Sequence, residues 1–264
     1  MKSVSEFSAS GVRYLFTDID DTLTDHGHLR PGAYEAMWRL KESGIEVIPV
    51  TGRPAGWCEM IARLWPAHGV VGENGGFYFR YHDKKMERHF AFDEQTQKSN
   101  RQKLDAIRED VLRAVPGCAI ASDQFSRLMD LAVDFAEDVG PLSEAKIDQI
   151  VDLFKKHGAQ AKVSSIHVNG WFGDYDKLSM CREYAKRELK MDLDRDNAAF
   201  AFSGDSPNDE PMFAFFKNAF AVANIQKFLP RLTHKPAYVA KLEGGDGFIE
   251  IADRLILSAA SQAR

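Results

Sequence analysis

The sequence predicts an α/β protein: a Rossmann-like parallel-sheet core with helices on both faces, carrying a smaller inserted α+β unit. Three observations predict it. Short apolar runs alternate with segments of helical periodicity at both ends of the chain, two of those runs end in paired acids, and the texture changes between residues 89 and 171 before the alternation resumes. With 264 residues, 44% of them hydrophobic, the chain can fill such a core and a second, smaller one.

Residues 13–19 form a short, mostly apolar run ending in acid. That is the pattern of a buried parallel strand whose last residues emerge at the carboxyl edge of a sheet, where α/β proteins bind ligands. Residues 31–43 carry apolar side chains at helical spacing (Ala33, Met37, Leu40), and Gly44 stops this helix before a second strand over 45–50. A helix over 55–65 and a third strand over 69–72 repeat the unit. The Gly75-Gly76 turn then leads into a hairpin of residues 77–81 and 86–92, turning at Asp83-Lys84. The inserted stretch reads as a long charged helix (95–115), a strand (126–135), a second helix (143–157) and another strand (161–168). Alternation returns with a strand over 198–203, a helix over 210–217, a strand over 219–222 and a last helix over 247–258. The lead before Gly11-Val12-Arg13 reads as flexible. The expected division is a core of residues 1–88 and 172–264 with an insert of residues 89–171.

A formal net charge of -5 with 28% charged residues provides no broad basic surface, so nucleic acid and anionic membrane are not expected as partners. The expected partner is a small molecule. Cys58, Cys118 and Cys181 are widely spaced and lack a CxxC pairing, which argues against a disulfide framework or a zinc site and for a reducing compartment. There is no apolar stretch of signal-peptide length at the start, and no run approaches the roughly 20 apolar residues that span a bilayer. A soluble cytoplasmic protein is expected.

The chemistry concentrates after the first strand. Residues two apart on an extended chain point the same way, so Asp18 and Asp20 face one site. Clustered carboxylates repel, by about 1 kcal/mol per pair at 4 Å in water and about 4 at an effective dielectric of 20, and a divalent cation is the natural compensation. Magnesium takes one or two such oxygens together with waters and substrate phosphate. Acids after a strand also serve as helix caps, so the argument needs the other strand ends. Thr51-Gly52-Arg53 closes the second strand with a hydroxyl and turn amides, a cradle for phosphate as well as ordinary turn chemistry. Lys177 follows Asp174-Tyr175-Asp176 and opens an amphipathic helix, where it can neutralise an anionic nucleophile and phosphoryl oxygens. Asp205 and Asp209, with Asn208 between them, follow the returning strand. Two acidic pairs on different strands make a metal site.

Taken in order, DIDDT (18–22), VTGR (50–53), Lys177 and GDSPND (204–209) resemble the four motifs of the haloacid dehalogenase superfamily. Glu73-Asn74-Gly75-Gly76, followed by a hairpin and an insert before the lysine, resembles its Cof-type subgroup. That subgroup includes sucrose-phosphate, trehalose-phosphate and mannosyl-phosphoglycerate phosphatases and eukaryotic phosphomannomutase. The resemblance implies that Asp18 attacks phosphorus to form an aspartyl phosphate, while Asp20 protonates the leaving oxygen and later deprotonates water. It implies magnesium on Asp18, the Asp20 carbonyl and Asp205, with Asp209 a further ligand or support. Thr51, Lys177 and Asn208 would hold phosphoryl oxygens, and Gly52, Arg53, Asn74 and Gly75 would bind substrate beside them. Asp21 stands where many relatives carry glycine.

The insert would be a cap that closes over the core and sets specificity. Arg127, Asp130, His167, Asn169 and Trp171 are its candidate contacts. Arg127 reads equally as a surface ion-pair residue, His167 as a hydrogen-bonded strand histidine and Trp171 as hinge packing. The expected reaction is magnesium-dependent hydrolysis of a small phosphate monoester, a sugar phosphate above all. A sugar phosphomutase and a non-catalytic phospholigand-binding regulator are the alternatives; a two-component receiver domain is about half this length and lacks the insert.

Overall fold

The computed structural model describes residues 1–9, 11–164 and 166–260. The chain opens with β1 (Lys2–Ser3) and reaches β2 (Tyr14–Thr17), whose Leu15 and Phe16 are fully buried on opposite faces, as a strand's alternation requires. A small hairpin of β3 (Thr24–Asp25) and β4 (His28–Leu29) leads to α1 (Pro31–Glu42), which buries Ala33, Ala36, Met37 and Leu40 along one helical stripe. Next come β5 (Glu46–Pro49) and α2 (Ala55–Leu64). The short β6 (Val70–Gly72) extends the sheet beyond β5 through a parallel Val50–Val71 bridge. It pairs with β7 (Phe77–His82), which pairs in turn with β8 (Lys85–Phe90). At the β7–β8 turn Asp83 and Lys84 both take positive φ, as a two-residue hairpin connection demands.

The insert folds on its own apolar centre. Its elements are α3 (Glu94–Ala114), β9 (Ala119–Ile120), β10 (Leu131–Asp134), α4 (Glu144–Lys156), β11 (Gln160–Val163) and β12 (His167–Trp171). The strands make an antiparallel sheet in the order β11-β12-β10-β9. Leu104, Ile107 and Val111 of α3 meet Leu131, Val133, Ile150, Phe154 and Val168. Each such burial is worth about 1.5–3 kcal/mol relative to exposure, enough together to give this layer a core distinct from the parallel sheet's.

Two expected strands are shorter than the sequence implies. Of residues 126–135 only β10 is extended, because the amides of Leu128, Met129 and Asp130 donate to the Glu73 carboxylate rather than to a neighbouring strand. The stretch 161–168 breaks into β11 and β12, closed by a hydrogen bond from the Ser164 amide to the His167 carbonyl; Ser165 lies outside the described residues. The apolar alternation shifts phase at the adjacent polar residues 164 and 165, which is the mark of that turn in the sequence.

The chain returns through α5 (Lys177–Tyr184), β13 (Phe200–Gly204), α6 (Glu210–Phe215), β14 (Asn218–Ala221), a 3₁₀ stretch Ala223–Arg231, β15 (Tyr238–Val239) and α7 (Gly244–Ala260). Six strands pair in parallel in the order β1-β15-β14-β13-β2-β5. One face buries Leu15, Val47, Ala201 and Phe220 with residues of α1, α2 and α7. The other buries Phe16, Ile48, Phe200 and Phe202 with residues of α5 and α6. The lead, expected to be flexible, is instead an edge strand: β1 pairs with β15, and Phe7 packs edge-on against Phe220 and Tyr238. No helix among the described residues is long and apolar enough to cross a membrane.

From β2 the chain runs to one side, into β5, and later returns on the other, into β13. The reversal of strand order lies between β2 and β13, which opens a crevice at their carboxyl ends.

Candidate active site

Both predicted acidic pairs emerge at that crevice. The Asp18 amide donates to the Ser203 carbonyl (2.9 Å), the Ser203 hydroxyl donates to Thr17 Oγ1 (2.7 Å), and Thr17 Oγ1 donates to the Asp18 carbonyl (3.0 Å). These buried bonds lock the two strand ends in register, so Asp18 and Asp205 leave the sheet side by side. Asp209 folds back beneath them: its Oδ2 accepts the Asp205 amide (3.2 Å) and its Oδ1 accepts Lys177 Nζ (2.9 Å). A Cβ on Gly204 would collide with the Asp209 carboxylate, so glycine there is a steric need. Lys177 donates also to Asp18 Oδ1 (2.7 Å), and the Asp176 carboxylate caps the helix that Lys177 opens. Gly75, at φ +103°, lets the Glu73-Asn74-Gly75 turn press on the Asp176 carbonyl, where any side chain would clash. Asp21 sits at φ +56°, a left-handed position that aspartate tolerates.

The charges do not balance within the protein. Oxygens of Asp18, Asp205 and Asp209 lie within 4.8 Å of one another, all three residues are buried, and among the described residues Lys177 is the one cation bonded to this group. Burial pushes the Asp18 carboxyl up to about 7; Lys177 opposes, while Asp209 and Asp20 add to the rise. Burial, reinforced by Asp209 and Asp18, lifts Asp205 well above the carboxylate range. Burial alone would lower Lys177, but Asp18 and Asp209 outweigh it and drive its affinity for the proton up. Three carboxylates against one ammonium leave two negative charges, the complement of one divalent cation, and all-oxygen donors suit magnesium. The residues therefore fit such an ion, with Asp18 and Asp205 as its carboxylate donors.

A pH dependence follows. A carboxyl with a raised pKa stabilises the fold when protonated, and that contribution is lost as pH rises through about 7. Protons and cation compete for the same oxygens, so the gain in Tm on adding magnesium is expected to grow between about pH 5 and 8. Thermal unfolding with magnesium and with chelator across that range measures it; a gain independent of pH would separate cation binding from these carboxylates.

Above the acids lies a cavity of about 430 Å³. Asp18, Asp20, Gly52, Arg53, Asn74, Asp205 and Asn208 line it from the parallel-sheet side, Arg127 and Asn169 from the insert. Thr51 lies beneath the wall, fully buried, its Oγ1 accepting the Arg53 amide (3.0 Å) and its carbonyl the Asn74 amide (3.0 Å). Gly75, Lys177 and Asp209 are likewise behind the lining. Arg53 spans the cavity: its Nη2 donates to Asp20 (2.9 Å), its Nη1 to Glu137 of the insert (3.1 Å), and its guanidinium lies 4.5 Å over the Trp57 ring. Asp20, with its side chain 32% exposed, is the most open of these acids for which an ion pair is formed.

Arg127 is no surface residue. It is buried, donating to Asp123 (3.1 Å), Asp130 (3.0 Å) and the Gly52 carbonyl (3.0 Å), and so ties insert to core. Asp130 also accepts Asn169 Nδ2 (2.9 Å). His167 lies 2.9 Å from Glu137, and burial, aided by Arg127 against the pull of Glu137, lowers its proton affinity. Trp171 stacks on Tyr175 and donates to its carbonyl (3.2 Å), the hinge-packing role.

Sequence reasoning quoted Glu73 in a motif without giving it a role and missed Glu137, Lys227, Phe228 and Arg231. Glu73 is fully buried; its carboxylate accepts the amides of Ala55 (3.0 Å), Leu128 (2.9 Å), Met129 (2.5 Å) and Asp130 (3.1 Å). Burial and Asp130 raise its carboxyl to about 7 against Arg127 and those amides. A lone acid after the apolar 70–72 run was the available signal. For Lys227 and Arg231 it was their four-residue spacing around Phe228.

A parallel sheet that gathers buried carboxylates around one lysine at its switch point, beneath an inserted α+β layer, defines the class: an α/β protein with an acidic, lysine-centred site under an insert. Residues 15–112 match the family described as haloacid dehalogenase-like hydrolase. No curated protein sequence matches the chain. Among solved structures it resembles Thermoplasma acidophilum 0175 (TM-score 0.72, 18% identity, 93% of this chain and 99% of that one). It resembles the sucrose-phosphatase from Synechocystis sp. PCC6803 crystallised with sucrose and phosphate (0.65, 16%, 93% and 98%). It also resembles the HAD subclass IIB sugar phosphatase BT4131 (0.61, 13%, 92% and 98%). The chain thus matches that family by sequence over residues 15–112 and shares the fold of these structures over nearly its whole length.

Proposed function

We propose that this protein is a magnesium-dependent phosphatase acting on a small phosphate monoester of the sugar-phosphate type, with Asp18 as nucleophile and Asp20 as acid and base. The observation that carries the reading is the pairing of Asp18 with Lys177 (2.7 Å) at the sheet's switch point, two residues before a more open second carboxylate. Phosphatases among the structural relatives agree with it.

In this mechanism Asp18 Oδ2 attacks phosphorus, the bond from phosphorus to the ester oxygen breaks, and Asp20 gives its proton to that oxygen. Water then attacks the aspartyl phosphate, Asp20 takes the water's proton, and phosphate leaves with the Asp18 carboxylate regenerated. Lys177 holds one Asp18 oxygen and leaves the other to react. Arg53 orients the Asp20 carboxylate. Asn208, Asn74 and the Gly52 amide offer donors to phosphoryl oxygens, with Thr51 shaping that turn. Bound between Asp18, the Asp20 carbonyl and Asp205, with Asp209 behind them, magnesium would supply positive charge to offset that gathering on the phosphoryl oxygens. The insert, residues 89–171, would act as the cap, with Arg127 and Asn169 setting its inner wall. Three free cysteines agree with a cytoplasmic setting.

Phosphate release from a panel of sugar phosphates, with magnesium and with chelator, tests this. Wild-type release that needs magnesium and falls at least about 10³-fold in Asp20→Asn is expected, since general acid–base catalysis contributes about 10²–10⁴-fold to each step it serves. Isomerised sugar phosphate without release would favour the phosphomutase instead. Binding without either reaction would favour a phospholigand-binding regulator.

A further inference from the structure

We propose that the esters this site takes carry a second anion, a carboxylate or second phosphate, read by Lys227 and Arg231 at the cavity rim. The inference rests on the phosphatase reading for the first phosphate and goes beyond it in the leaving group.

Four basic side chains of arginine or lysine line the cavity. Two are already neutralised: Arg53 by Asp20 and Glu137, and Arg127 by Asp123 and Asp130. The other two, Lys227 and Arg231, are solvent-exposed and have no acidic partner among the described residues. Both project from the 3₁₀ stretch Ala223–Arg231, on the parallel-sheet side, and Phe228 lies between them in sequence with its ring 5.1 Å beneath the Lys227 ammonium. This rim is therefore a positive pole free to bind an anion.

The insert's share of the lining supports the same conclusion. Phe135, Ile147, Val163 and Ile166 of the insert line the cavity with hydrocarbon. They offer no hydrogen bond that would orient a leaving group by its hydroxyls. The insert's polar lining residues, Arg127, Ser164, His167 and Asn169, are each already engaged within the insert, so a group held at one end by its phosphate takes its further orientation from a charge elsewhere on it, which the free cations meet. A monoanionic leaving group spanning the cavity meets both poles; a neutral one meets only the first.

The test compares matched esters with and without the second anion, using the full chain with magnesium. Glycerol 3-phosphate is paired with 3-phosphoglycerate for the carboxylate, and a hexose monophosphate with a hexose bisphosphate for the phosphate. Within at least one pair, kcat/KM is expected to favour the ester with the second anion by about tenfold, an advantage that shrinks as salt rises. Whichever pair shows it names the anion. In the double variant Lys227→Ala, Arg231→Ala the ratio within that pair should fall towards one. In Lys227→Glu, Arg231→Glu it should invert, with p-nitrophenyl phosphate as the reference ester in every protein. A ratio near one in the wild type, or a ratio that survives both double variants, overturns the proposal. Calorimetric binding of the same pairs reads the same ratio whether or not any ester is hydrolysed, so failure of the phosphatase reading is distinguishable from failure of this one.

Discussion

Asp18→Asn is expected to remove turnover by at least about 10⁴-fold and, in the same protein, to raise stability. An amide does not attack phosphorus, so the loss falls on kcat. The gain in stability follows from the local charge. Asp18 is buried beside Asp209, Asp205 and Asp20, and its carboxyl is pushed up to about 7. At pH 8 in chelator the wild type holds that carboxylate ionised at a cost that asparagine removes, while the asparagine carbonyl still accepts Lys177. The expected change is an increase of about 1 kcal/mol at pH 8 that shrinks towards pH 4, as the folded wild-type carboxyl takes up its proton below about 7. Magnesium should reverse the order by stabilising the wild type alone. Phosphate release and denaturant unfolding at the two pH values measure both halves. A variant that is inactive but less stable than wild type in chelator at pH 8 would refute the charge argument while leaving the nucleophile in place.

Lys177→Met is expected to act in the opposite direction on stability. Lys177 is buried and bonds Asp18 and Asp209 at once, so its removal strands two buried carboxylates that no nearby ammonium answers. Deleting one partner of a buried pair costs about 3–5 kcal/mol, and here both acids lose theirs. The fold responds by holding protons on those carboxyls to higher pH, which disables the nucleophile as well. Unfolding in urea at pH 8 should show the full loss in chelator and partial recovery in magnesium, and activity should fall by at least about 10³-fold. A wild-type unfolding midpoint in chelator would mean that the ammonium does not balance this cluster. The two variants remove opposite charges from one hydrogen bond, so their stability effects of opposite sign distinguish electrostatics from packing.

The parts of the fold that the sequence made legible are those whose signal is local. A buried strand ending in acid, repeated at Asp18 and Asp205, is readable from a few neighbours, and the sheet order converts two local patterns into one site. The helix opening at Lys177 was readable for the same reason. Glu73 was not, because its partners Leu128, Met129 and Asp130 lie more than 50 residues away, and no periodicity encodes which amides a buried carboxylate will collect. The same contact shortened the strand expected over 126–135. Pairing of Lys2–Ser3 with Tyr238–Val239 joins the two ends of the chain, and the only hint was a pair of apolar residues, Val4 and Phe7, in an otherwise polar lead. Glu137 carries no local signature at all; it matters because it meets Arg53 across the cavity.

The Glu73 carboxylate also decides how the insert can move. Two chain connections, through residues 91–93 and 172–175, would by themselves leave a door on a pair of hinges. Glu73 adds a fastening beyond the two connections, since it grips the 128–130 backbone with the same oxygens that hold the start of α2. To lift off as one board the insert must give up those amides together with the Arg127 bond to the Gly52 carbonyl and the Arg53–Glu137 pair, so the fastening is spread over several points and the hinges alone do not govern it.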